Sequence, residues 1–134
     1  MTYWLVKTDP DTYSIENLIN DKKTIWDGVR NYQARNFLKL MNNGDLVLIY
    51  HSGEDKAIVG LAKVSKEFFQ DPNTDDNNWV AVELTFKEKF SKFLTLEEIK
   101  KIAELKNIAL LKQSRLSVMP ITKDEFDTII NLTN

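Results

Sequence analysis

The sequence predicts an α+β fold: a small, mostly antiparallel β-barrel of about six strands with helices packed at its ends. Three observations carry this expectation. Short runs rich in aromatic and β-branched residues recur between turn signals, as strands do. Two Thr-x-x-Glu capping boxes, at Thr95 and Thr122, open helices among them. The 134 residues suit one domain, 1–134, long enough to bury a core.

Each element follows from local pattern. Tyr3 to Thr8 reads as a strand that Asp9-Pro10 ends. Ser14 is a plausible N-cap for a short helix carrying Ile15, Leu18 and Ile19. Ala34, Phe37, Leu38 and Met41 recur at helical spacing, so a second, amphipathic helix lies there. Asn42-Asn43-Gly44-Asp45 is a turn, and Asp45 to His51 is an apolar strand. Ser52 to Lys56 forms a hairpin loop, with Ala57 to Phe68 as the return strand. Gly60 inside that strand predicts a bulge or a close approach by another group. After the polar loop from Gln70 to Asn78, Trp79 to Phe90 alternates as another long strand. A helix then runs from Leu96 to about Glu104. Ser114 to Met119 reads as a last strand, with Arg115 and Ser117 on one face and Leu116 and Val118 on the other. The second capping box starts a C-terminal helix with Phe126, Ile129 and Ile130 inward.

Composition narrows the chemistry. There are no cysteines, so disulfides and thiol chemistry are excluded, and the single histidine, His51, builds no cluster. A transition-metal site is therefore not expected. The longest apolar runs are too short to span a membrane, and the N-terminus carries no basic region followed by an apolar stretch, so a cytoplasmic protein is expected, or a nuclear one if the source has a nucleus. A net charge of −2 argues against coating nucleic acid through bulk electrostatics, but leaves room for a pocket that takes one nucleotide. No glycine-rich phosphate loop is present.

The stretch from Thr24 to Asp45 carries the functional signal. Trp26 is followed by an Asp27-Gly28 turn and then by Arg30, Asn31, Tyr32, Gln33, Arg35 and Asn36, six polar-group side chains in seven positions. A helix start leaves backbone N–H groups unpaired and mildly positive, and Gly28 allows close approach. Asn31 alone reads as an N-cap and Trp26 alone as core. One cap does not need the whole set, which suits a planar polar ligand or a phosphate.

The segments YWLVKTDPDTYS, WDGVRNYQARNFLK, LVLIYHS with the following VGLAKV, and SRLSVMP strongly resemble the EVE domain family. That family belongs to the PUA-like superfamily, with YTH and ASCH domains, and the resemblance covers nearly the whole chain. Asp9 stands where the family usually has Glu, and Phe93 stands near a position where proline is common. The resemblance implies a PUA-like barrel and a non-catalytic reader of a modified base, a modified cytosine in DNA or a modified RNA nucleotide, with no cofactor. It places Lys7-Thr8 where YTH domains carry Lys-Ser, and Trp26 at or beside a cage tryptophan. Asn31 falls near an asparagine that reads the base edge, Ser52 after the matching strand, Trp79 in the region of the other walls, and Ser114-Arg115 at a Ser-Arg pair. On this reading the base stacks on Trp26 with Trp79 or Tyr32 as a second wall. Asn31 and Ser52 read its edge, and Arg115, Arg35 and Lys7 meet phosphates or a base oxygen. Trp26→Ala is then expected to weaken binding and leave the protein folded.

Two rivals come from other classes. Some ASCH proteins are amidohydrolases of acetylated cytidine that use Lys, Thr and Glu together, and this chain has Lys7, Thr8 and Glu83. Adjacent strand residues face opposite ways, which argues against Lys7 serving Thr8 as a base. The other rival is a protein-interaction domain with a vestigial pocket.

Overall fold

Period-two patterning requires each strand to find a partner, and six do. The computed structural model describes residues 1–134. Its strands are β1 (Tyr3–Thr8), β2 (Lys23–Trp26), β3 (Leu46–His51), β4 (Ala57–Gln70), β5 (Val80–Thr95) and β6 (Val118–Ile121). The helices are α1 (Ile15–Asp21), α2 (Tyr32–Leu40), α3 (Leu96–Lys100), α4 (Ala109–Lys112) and α5 (Lys123–Thr133). A single 3-10 turn, Ala103–Leu105, lies between α3 and α4. The strand order is β2-β5-β4-β3-β1-β6. Every pairing is antiparallel except β1 with β3, whose connection is long enough to hold α1, β2 and α2.

The α+β class and the strand number match expectation, but the sheet does not close into a barrel. Its ends, β2 and β6, do not pair with each other. Helix α2 packs against β6 at one end of the order and β5 near the other, so it fills the space where the edges would meet.

Other boundaries also move. The expected strand Ser114–Met119 is β6, Val118–Ile121; Ser114 and Arg115 sit instead in a turn closed by Leu116 N–H donating to the Gln113 carbonyl at 3.1 Å. Pro120 is tolerated because β6 is an edge strand. The helix from Leu96 stops at Lys100, since Ile102 is extended (φ −96°, ψ 116°). Strand β2 escaped notice because its four residues show no apolar alternation and Ile25 faces outward. Thr24, Ile25 and Trp26 favour a strand, but four residues without alternation mark one only once β5 pairs with them.

One continuous apolar core holds the sheet and helices, including Trp4, Leu5 and Val6 of β1, Leu38 of α2, Phe90 of β5 and Ile129 of α5. Two buried polar groups tie its edges. Asp45 accepts from the Trp4 indole N–H at 3.0 Å and from the backbone N–H of Asn42 at 2.9 Å. His51 Nε2 accepts from the first backbone N–H of α1, on Ile15, at 3.0 Å. The ring proton is therefore on Nδ1, 3.0 Å from Asp55 Oδ2.

Candidate functional site

Strand β1 ends beside the loop that follows β2, and a cavity of about 670 Å³ opens between them. Lys7 and Thr8 line one side; Trp26, Asp27, Arg30 and Asn31 line the other, with Tyr13 and Ser117 completing it. Trp26 closes β2, paired with Val82, and only 8% of it is exposed. The Tyr13 ring meets it edge-on at 6.3 Å, at 89°. The indole is thus part of the core and of the cavity wall at once.

The loop from Asp27 to Asn31 is held by a side chain distant in sequence. Gly28 takes φ +76°, and its N–H donates to Asp71 Oδ2 at 2.8 Å. Arg30 reaches the same oxygen at 2.9 Å, and the Asn73 backbone N–H donates to Asp71 Oδ1 at 2.8 Å. Asp71 is wholly buried. Burial pushes its carboxyl up, but the bonds from Arg30, Asn73 and Gly28, with the Arg30 charge, outweigh this and hold it below its ordinary value. A second tie runs from the Asn73 side chain to Asp27 Oδ2 at 2.7 Å.

The polar walls are arranged for hydrogen bonding. The Lys7 ammonium donates to the Ser114 carbonyl at 2.8 Å, and burial lowers its pKa. Thr8 Oγ1 donates to the Tyr13 carbonyl at 2.7 Å, so the hydroxyl keeps its acceptor capacity. Asn31 caps α2 through Oδ1, which accepts from the Ala34 N–H at 2.9 Å. The capping role is real, and it spends only the oxygen of the amide.

Lys7, Thr8, Trp26 and Asn31 are thus brought together. Tyr32, Arg35 and Trp79 are not on the cavity wall. They form a separate stack: the Tyr32 and Trp79 rings lie 5.0 Å apart, Arg35 sits 5.0 Å from Tyr32, and Arg30 sits 5.5 Å from Trp79. Arg35 also donates to the Asn78 carbonyl at 3.2 Å, which fastens the loop before β5 onto α2. Ser52 stands off the cavity, its backbone N–H donating to the Thr8 carbonyl at 2.9 Å. Arg115 lines a neighbouring groove, not the cavity. Tyr13, Asp71 and Ser117 were missed. Asp71 lies 43 residues from Gly28, and no local pattern joins them.

Both Lys7 and Thr8 reach the cavity, so alternation along β1 does not separate them. Glu83 is elsewhere, on β5 opposite Ile25, and accepts from Ser65 Oγ at 2.9 Å. The Lys, Thr and Glu set is not assembled. No group of three or more His, Cys, Asp or Glu residues could hold a metal ion, and no helix is long and apolar enough to cross a membrane.

The family model described as "EVE domain" matches residues 2–132. The chain belongs to the EVE domain family. This EVE domain is 37% identical to mouse thymocyte nuclear protein 1, across 97% of its own length and 73% of that protein's. It superposes on human THYN1, solved in complex with 5-methylcytosine-containing DNA, with a TM-score of 0.93 at 33% identity, covering 100% of this chain and 98% of that one. An ASCH protein from Zymomonas mobilis shares the fold alone, with a TM-score of 0.66 at 14% identity, covering all of both chains.

Proposed function

We propose that this EVE domain binds DNA carrying a modified cytosine and receives that base, out of its stack, in the Trp26 cavity. One observation carries the reading. The chain superposes over its full length on human THYN1 in complex with 5-methylcytosine-containing DNA, and has a cavity beside Trp26. The volume falls within the range of about 300–1,000 Å³ usual for small-ligand pockets. The indole offers a stacking surface, worth about 1–3 kcal/mol for one base. Lys7 and the uncommitted end of the Asn31 amide supply donors for a base oxygen or ring nitrogen, while Thr8 supplies an acceptor. A buried polar edge contact rejects a ligand that lacks it more strongly than a methyl-sized slot does, so discrimination among bases exceeds discrimination for the methyl group. The activity is binding, without catalysis, wherever the cell keeps its DNA.

The test is anisotropy binding with matched oligonucleotides: modified and unmodified cytosine, single-stranded and duplex DNA, and RNA of the same sequence. Tighter binding to the modified DNA is expected. Equal affinity for every strand, or none, would sink the reading; preference for modified RNA would transfer it to RNA. Release of acetate from acetylated cytidine would favour the hydrolase instead.

A further inference from the structure

Thymine sets a problem for a cavity that takes a methylated cytosine. It carries the same 5-methyl group, and its face stacks on an indole as any base does. The two bases differ at position 4, where cytosine presents an amine and thymine a carbonyl. Lys7 and the free end of the Asn31 amide are donors, so they serve either base at its O2 and would favour thymine at position 4. Rejecting thymine needs an acceptor that cannot turn into a donor.

Thr8 does not meet that need. Its hydroxyl accepts only while its proton stays on the Tyr13 carbonyl, and rotation would let it donate to a thymine oxygen. Asp27 does meet it. It is the one acidic residue on the cavity wall and follows Trp26 directly in the chain. A carboxylate has no proton to turn. Its Oδ2 accepts from the Asn73 side-chain amide at 2.7 Å, and this is its only hydrogen bond. It belongs to none of the protein's ion pairs, so Oδ1 is uncommitted. The tether is itself fixed, because the Asn73 backbone N–H donates to the buried Asp71, which also holds the Gly28 N–H on the far side of Asp27. Fastening the two loops accounts for Oδ2 alone.

We propose that the Asp27 carboxylate accepts a hydrogen bond from the position-4 amine of the pocketed cytosine and thereby excludes thymine from the cavity. The inference rests on the base-binding reading above. Asn73 holds one oxygen, and the other meets the base. Asp27 therefore chooses cytosine over thymine, whatever group stands at position 5.

The experiment uses the full chain, with D27N and D27A, on DNA whose target base faces an abasic site, so that no base pairing differs. The target is cytosine, 5-methylcytosine, uracil, thymine or 5-methyl-2-pyrimidinone, which lacks any group at position 4. A control duplex has no base at the target position. The wild type should bind the two amino bases about tenfold or more tighter than the two oxo bases, with the pyrimidinone between them. D27A should remove that preference. In D27N the Asn73 amide still pins the side-chain oxygen, which turns the new NH2 towards the base, so the preference should move past that of D27A towards thymine. Asp27 is exposed, so both variants are expected to fold, and circular dichroism checks it. The pyrimidinone tests the amine on the wild type without any substitution. Equal binding of 5-methylcytosine and the pyrimidinone by the wild type, or an unchanged amino-to-oxo ratio in D27N, overturns the role of Asp27 and leaves the base pocket standing. If the wild type binds no target base more tightly than the control duplex, the base-binding reading falls and takes this one with it.

Discussion

Trp26 serves the core and the cavity together, and this changes how its role is tested. A ring only 8% exposed cannot be cut back to a methyl group cheaply. Trp26→Ala is expected to cost about 3–5 kcal/mol of stability, so a loss of binding in the alanine variant would mix unfolding with lost stacking. Trp26→Leu keeps apolar bulk and removes the aromatic face. It should stay folded by circular dichroism and lose about 1–3 kcal/mol of binding free energy by anisotropy. A folded leucine variant with wild-type affinity would exclude stacking. At this scale Lys7, Thr8 and Asn31 could be found in the sequence, because each sits at the end of an element with a local signature, whereas Trp26 ends a strand with none and stood out only through the turn and polar run that follow it. Tyr32, Arg35 and Trp79 show the opposite failure. Their residue types suit a ligand, yet they stack on one another and fasten the loop before β5. Residue type records what a side chain can do, while its neighbours decide what it does.

Gly60 shows what the elements demand of single positions. A β-carbon built there would lie 2.6 Å from Ile15 Cδ1 and 2.8 Å from the Glu88 carbonyl oxygen. Strand β4 can pass this close to α1 and β5 only without a side chain, and the β4–β5 register shifts between Ile58 and Gly60. Gly60→Ala should lower stability by about 1–3 kcal/mol in urea titration. Adding Ile15→Val should recover only part of the loss, since the Glu88 carbonyl belongs to the backbone. Full recovery would mean that the helix contact alone sets the cost. The close approach at Gly60 was legible because glycine weakens a strand interior, so its presence there points to a bulge or a crowding neighbour. Strand β2 was not legible, because its reason to be a strand lies on β5, nearly sixty residues on. The final strand was displaced for a related reason. Leu116 and Val118 do turn inward, but the chain reaches them through a turn that alternation cannot reveal.

Over the whole molecule, the functional loop depends on one buried carboxylate. Asp71 accepts from Gly28, Arg30 and Asn73, so it joins the loop before β5 to the loop after Trp26. Asp71→Ala would leave these donors without their partner; Gly28, Arg30 and Asn73 are themselves exposed, so water takes over part of the bonding and each lost bond costs about 1 kcal/mol. Arg30 is 40% exposed, so water screens its share of the loss. The pH dependence follows from the direction of the shift. The folded carboxyl titrates below its ordinary value of 3.8, so the native state binds fewer protons than the unfolded chain. The stability this contributes is complete above the unfolded value and is lost as pH falls through the folded one. In urea titrations, the gap between wild type and Asp71→Ala should be widest near neutrality and should narrow below pH 3.8. Affinity for the modified strand should fall in the variant even at neutral pH, because Asp27, Arg30 and Asn31 line the cavity and share the loop that Asp71 holds. A gap that does not change with pH would mean the carboxylate acts only by filling space; unchanged affinity in the folded variant would mean the cavity does not depend on this clamp.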